Sequence, residues 1–164
     1  MASGETSLVE APAPGAQKGS LLIQSSCSLI SAGTERMLVD FGRASYLDKA
    51  RQQGVRAMAR EWVQGMVHPD RLSDGPLIEA ILDMFERKSA DIFERQLRAL
   101  VRRPDATQVL QRLTMPTLVQ CGRQDSWANV AQHRAMADLL PAKTEVCVIP
   151  HAGHMLTMEE PASV

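Results

Sequence analysis

The sequence lacks the features that mark several classes of protein. Its three cysteines, Cys27, Cys121 and Cys147, are an odd number without paired spacing, which argues against a disulfide framework. No two cysteines stand in a C-x-x-C arrangement, so we do not expect a structural zinc site. The formal net charge is −1 and the basic residues are scattered, so we expect no nucleic-acid partner and no polybasic membrane anchor.

Targeting and membrane signals are also missing from the sequence. Residues 1–19 show no basic start followed by an apolar stretch, which argues against a signal peptide. No apolar run approaches the roughly 20 residues that a membrane-spanning helix needs. We therefore expect a cytoplasmic protein that does not bind membranes.

The middle of the chain has the apolar spacing of helices. The clearest stripe lies within residues 55–67 and comprises Val55, Met58, Ala59, Trp62, Val63 and Met66. We expect this stripe to be core, although its methionines could instead line an acyl-binding pocket. Further helices are predicted at residues 74–88, 89–102 and 105–113. His68 and His133 have no evident partner and are expected at the surface.

Two buried strands are predicted towards the end of the chain. They cover residues 116–122 and 145–150, with a helix at residues 128–140 between them. Strand, helix and strand in this order predict a right-handed parallel unit, so the fold class is α/β. Cys121 and Cys147 fall within the apolar runs and are expected to be buried. Glu159-Glu160-Pro161 is expected to open a last helix.

An acid and a histidine follow these two strands. Asp125 comes shortly after the first strand and His154 shortly after the second. Active sites of open parallel sheets form outside the carboxyl ends of the strands, so we expect the two side chains to meet there. The carboxylate would then hold one ring nitrogen and leave the other free to accept a proton. The alternative for Asp125 is a helix N-cap before Ala128.

These blocks resemble the C-terminal part of the α/β-hydrolase family. The resemblance rests on residues 116–125 (PTLVQCGRQD), on residues 150–156 (PHAGHML) and on Glu159-Glu160-Pro161. It implies a catalytic pair of Asp125 and His154, a small-molecule ester or lactone substrate and no cofactor. Residues 54–114 resemble the helical cap and residues 115–164 the final βαβ unit. The expected fold is a truncated α/β-hydrolase with a small parallel sheet.

The nucleophile expected from this resemblance is missing. The family carries it in a Gly-x-Ser-x-Gly elbow, and no such pentapeptide occurs here. Ser31 is the best candidate nucleophile because Ala32 and Gly33 permit a tight turn, although Leu29 stands where the elbow needs a small residue. The alternative interpretation is that Ser31 is an ordinary turn residue without a catalytic role. A second possibility is a divalent metal held by His151, His154 and Asp125, which would activate water.

The start of the chain resembles a different family. Residues 3–53, above all residues 27–36 (CSLISAGTER) and 41–45 (FGRAS), resemble the N-terminus of a medium-chain, alcohol-dehydrogenase-like oxidoreductase. No Gly-x-Gly-x-x-Gly loop follows, so a nicotinamide cofactor is not implied. We interpret residues 1–53 as a partly disordered segment joined to the hydrolase-like part near Gln53 and Gly54. Besides the hydrolase, a non-catalytic fused fragment that forms homo-oligomers therefore remains possible.

Overall fold

The computed structural model describes residues 44–101 and 104–164. Ser31 lies outside these residues, as do residues 3–43 of the oxidoreductase-like segment. The predicted nucleophile and the predicted nature of residues 1–53 therefore remain predictions.

Within the described residues, five helices precede the sheet. They are α1 (Ala44–Gln53), α2 (Val55–Met66), α3 (Gly75–Glu86), α4 (Ala90–Val101) and α5 (Thr107–Leu110), with a 3-10 turn at Pro69–Ser73 between α2 and α3. Gly54 separates α1 from α2 with a φ of 90°, a conformation that glycine adopts without steric cost. The predicted helices are present, but the one expected at residues 105–113 is shorter.

The helices enclose an apolar core built around the predicted stripe of α2. Met58 and Ala59 are fully buried there, as are Ile81 and Leu82 of α3. The indole of Trp62 contacts other aromatic rings at centroid distances of 5.3 to 6.0 Å, namely those of Tyr46, Phe85, Phe93 and Trp127. The stripe is therefore core, as predicted.

In the part of the chain that the structure describes, the sheet consists of two parallel strands, β1 (Val119–Gly122) and β2 (Val146–Ile149). Val119 pairs with Val146 at one end, and Gly122 pairs with Ile149 at the other. Helix α6 (Val130–Ala137) connects the strands, and its capping box joins Asn129 to Gln132. One face of the sheet packs against α5 and α6 in a second apolar cluster of Leu110, Val119, Ala137 and Leu140.

Three expectations about the burial of this region were wrong. Cys147 is exposed, because side chains alternate across a strand and its face of the sheet is not the one that α6 covers. Leu118, just before β1, is 70% exposed. His133, expected at the surface, is 8% exposed because it lies on the inner side of α6, where its Nδ1 is 3.1 Å from the carbonyl oxygen of Asn129. Cys121 is buried as predicted.

The last helix differs from its prediction. Helix α7 (Leu156–Glu159) ends where a helix was expected to begin, and Pro161–Ser163 forms a 3-10 turn. Proline disfavours a helical conformation in the residue before it, and Glu160 accordingly has φ and ψ of −134° and 59°. None of the helices that the structure describes is both long enough and apolar enough to cross a membrane.

Candidate active site

Two loops meet at the carboxyl ends of β1 and β2. The backbone N–H of Arg123 donates to the carbonyl oxygen of Ile149 at 2.9 Å, and that of Gln124 donates to Ala152 at 3.0 Å. Gly122 permits this approach, since a Cβ atom there would lie 2.2 Å from the carbonyl oxygen of Gly153. The loop carrying the acid is thus packed directly against the loop carrying the histidine.

The structure brings Asp125 and His154 together. Nδ1 of His154 lies 2.9 Å from Oδ2 of Asp125. Oδ1 of Asp125 accepts hydrogen bonds from the backbone N–H groups of Trp127 at 2.9 Å and Ala128 at 2.8 Å. The carboxylate therefore accepts hydrogen bonds from the local N–H groups and also contacts the imidazole, but the N-cap of the helix that follows is Asn129 and not Asp125. The contact is observed, whereas its catalytic role stays a prediction.

The environment of Asp125 favours its charged form. Burial is the largest influence and opposes ionisation, since the side chain is only 6% exposed. The hydrogen bond from His154 and its electrostatic attraction, together with the N–H groups of Ala128 and Trp127, outweigh burial and hold the pKa of Asp125 below its usual value. An ionised carboxylate only accepts hydrogen bonds, so Nδ1 of His154 must carry the proton between them.

The other ring nitrogen of His154 is available. Among the residues that the structure describes, none hydrogen-bonds Nε2, and the side chain is 26% exposed. The ring lies beside the indole of Trp127 at a centroid distance of 5.0 Å, and Trp127 in turn contacts Trp62. The imidazole is thus supported by the helical core while its proton-accepting nitrogen stays accessible.

The C-terminal end of α2 holds both loops. The carbonyl oxygen of Met66 accepts from the backbone N–H groups of His154 at 2.7 Å and Met155 at 3.1 Å. One residue earlier, the carbonyl oxygen of Gly65 accepts from Oγ of Ser126 at 2.8 Å. Ser126 therefore has a structural contact. The helical region fixes the positions of both members of the pair.

Glu159 was not predicted as a site residue from the sequence, where it stands out only as part of a helix start. Its side chain is buried at 2% exposure and bonds to the loop before His154. The sequence nevertheless contains a signal that Glu159 is buried. The spacing of Met155, Met158 and Glu159 places the acid on the same helix face as two apolar residues. An acidic residue on an apolar face requires a buried partner.

The structure does not bring the proposed metal ligands together. His151 is exposed, and its ring is 6.1 Å from that of His68. Within residues 44–101 and 104–164, no three His, Cys, Asp or Glu side chains form a group that could hold a metal ion. His151, His154 and Asp125 therefore do not form such a group in the structure.

The chain is similar to solved structures of hydrolases. A thermophilic esterase from Thermogutta terrifontis is 27% identical, with a TM-score of 0.65, and the match covers 81% of this chain and 47% of the esterase. An enol-lactonase from Burkholderia xenovorans is 22% identical, with a TM-score of 0.63 and coverages of 73% and 45%. An alpha/beta hydrolase enzyme from a Medee basin deep-sea metagenome library is 18% identical, with a TM-score of 0.63 and coverages of 82% and 50%.

These similarities define the fold. The described residues form part of an α/β-hydrolase fold, with a small parallel sheet and a mostly helical remainder, as the sequence predicted. The chain spans about half the length of the solved structures that it matches. No protein-family model matches the chain, and no curated protein does.

Proposed function

We propose that this chain is a hydrolase of the α/β-hydrolase type that cleaves ester or lactone bonds in small molecules. The observation that carries the proposal is the 2.9 Å contact between His154 and the buried carboxylate of Asp125, with Nε2 left accessible. The similarity to an esterase at 27% identity supports the same class of substrate. A hydrogen-bonded carboxylate and imidazole at strand ends is the arrangement that nucleophilic acyl transfer uses.

In this proposal His154 moves the proton at each step. Its Nε2 accepts the proton of a hydroxyl nucleophile as the oxygen attacks the substrate carbonyl, and then gives that proton to the departing alkoxide. Water hydrolyses the resulting acyl-enzyme with the same base. Asp125 remains ionised and stabilises the imidazolium. Ser31 is the proposed nucleophile, on the sequence argument alone.

A serine-directed covalent probe tests the nucleophile and the base together. The full chain is treated with a fluorophosphonate, and the labelled peptide is identified by mass mapping. We expect labelling at Ser31 that is lost in Ser31→Ala and in His154→Ala, but kept in His151→Ala, whose ring is exposed and outside the pair. Labelling of a different serine would contradict the assignment of Ser31. Unchanged labelling and ester turnover in His154→Ala would contradict the catalytic pair.

The open face of the sheet favours one alternative, a non-catalytic chain that self-associates. Leu118 is 70% exposed, and Cys147 is exposed on the second strand. Exposed apolar surface beside a strand edge promotes association. Sedimentation analysis combined with an assay on short acyl esters separates the two functions. A dimer without turnover supports self-association, whereas a monomer with steady turnover contradicts it.

A further inference from the structure

Glu159 is a buried carboxylate that the proposed chemistry does not use. It lies at the end of α7 and is 2% exposed. Each of its oxygens accepts one backbone hydrogen bond. Oε1 accepts from the N–H of His68 at 2.5 Å, and Oε2 accepts from the N–H of Gly153 at 2.9 Å. A charged group is retained in such a place only when its hydrogen bonds are satisfied.

These bonds join two backbone segments that already touch. A Cβ atom at Gly153 would lie 2.7 Å from the carbonyl carbon of Val67 and 2.9 Å from the backbone nitrogen of His68. Gly153 thus lies against the residues that follow α2, and Glu159 bridges the two segments. The next N–H along the chain, that of His154, donates to Met66. The peptide groups on both sides of Gly153 are therefore fixed immediately before the imidazole.

We propose that Glu159 is a positioning residue, which locks the loop of His154 to the end of α2 so that Nδ1 faces Asp125. The effect of Glu159 on turnover rests on the proposed function. Its effect on the position of the imidazole does not. The requirement is for a carboxylate. Two N–H donors face the two oxygens, and an amide can accept only one of those bonds while directing its own N–H₂ group at the other donor. Even the isosteric Glu159→Gln therefore breaks the bridge.

The test follows the Nδ1 proton of His154 by NMR in the full chain. In the wild type we expect a hydrogen-bonded resonance that exchanges slowly with water. In Glu159→Gln we expect exchange about tenfold faster, the size of effect that loss of one hydrogen bond produces. The matched control is Glu160→Gln, because Glu160 is the neighbouring acid and lies 3.7 Å from the guanidinium of Arg71 instead. This control should leave the exchange rate unchanged.

A folded Glu159→Gln with an unchanged Nδ1 proton would overturn the proposal. If that variant does not fold, the wild type still provides a test. A through-hydrogen-bond coupling between the amide nitrogen of Gly153 and the carboxyl carbon of Glu159 supports the bridge, and its absence overturns it. Ester turnover separates this proposal from the proposed function. Faster exchange in a chain without turnover supports positioning and contradicts the hydrolase, whereas unchanged exchange in an active enzyme contradicts only positioning.

Discussion

The helical region and the sheet region of this protein differ in how completely they are covered. Helices α1 to α4 surround a closed core in which Met58, Ile81 and Leu82 have almost no exposure. The sheet has only two described strands, and one of its faces carries the exposed Cys147. Parallel sheets are normally covered on both faces. The site at the strand ends depends on the helical region for support, since its loops are bonded to Gly65 and Met66 of α2.

Removal of the base is the change with the largest expected effect. We expect His154→Ala to lower kcat/KM for ester hydrolysis by at least about a thousandfold, because a hydroxyl nucleophile needs a proton acceptor. The fold should be retained, since the side chain is partly exposed and its backbone bond to Met66 is unaffected. Steady-state kinetics and circular dichroism measure the two properties. Equal turnover in wild type and variant would remove the reason for assigning a catalytic role to the pair.

A matched pair of isoleucines compares the stability of the two regions. Ile81 is fully buried among the helices, and Ile149 is 8% exposed at the end of β2. We expect Ile81→Ala to lower the free energy of unfolding by about 4 kcal/mol and Ile149→Ala by about 2 kcal/mol, because the looser region can relax around a cavity. Urea titration gives both values. A larger loss in Ile149→Ala would contradict the view that the helices carry the stability.

The contact between the regions is tested at Gly153. An added methyl group would meet the backbone at Val67 and Met66 within 2.8 Å, and backbone atoms cannot rotate away. We expect Gly153→Ala to cost about 3 kcal/mol of stability, in the upper range for overpacking, and to lower turnover. Gly75→Ala is the control, because nothing lies within 4 Å of its added Cβ. Similar stability of the two variants would show that the loop is not pressed against α2.

The pH dependence of stability tests the electrostatics of the pair. The pKa of Asp125 is lowered in the folded protein by His154 and the two N–H groups, despite the opposing effect of burial. The contribution of Asp125 to the free energy of unfolding is therefore complete above its unfolded-state pKa of about 4. This contribution is lost as the pH falls through the lower pKa of the folded state. We expect Asp125→Asn to flatten the decline in stability below about pH 4, measured by urea midpoints. Asp138→Asn changes an exposed position, so the stability of this variant should decline with falling pH as in the wild type.

The sequence predicted the pair more completely than its surroundings. Asp125 and His154 follow strands whose parallel order was readable from apolar runs, and parallel strands place their carboxyl ends at one edge. The support from Gly65, Met66 and Glu159 was not readable, because it depends on contacts between segments far apart in the chain. Cys147 was misjudged for a related reason. An apolar run indicates a strand, but it does not say which face other elements cover.

The two cysteines of the sheet give the smallest expected effect on stability and a direct measure of which face is open. Burial, followed by the negative charge of Asp125, raises the pKa of the Cys121 thiol, so this residue should resist alkylation in the native state. Cys147 is exposed and should be alkylated rapidly. Mass mapping of the labelled peptides distinguishes Cys147 from Cys27. Cys147→Ser should change stability by less than about 0.5 kcal/mol, because an exposed hydroxyl loses no packing. If Cys147 is instead protected from alkylation and this protection disappears on dilution, a second copy of the chain covers this face of the sheet. That result would support the self-associating alternative.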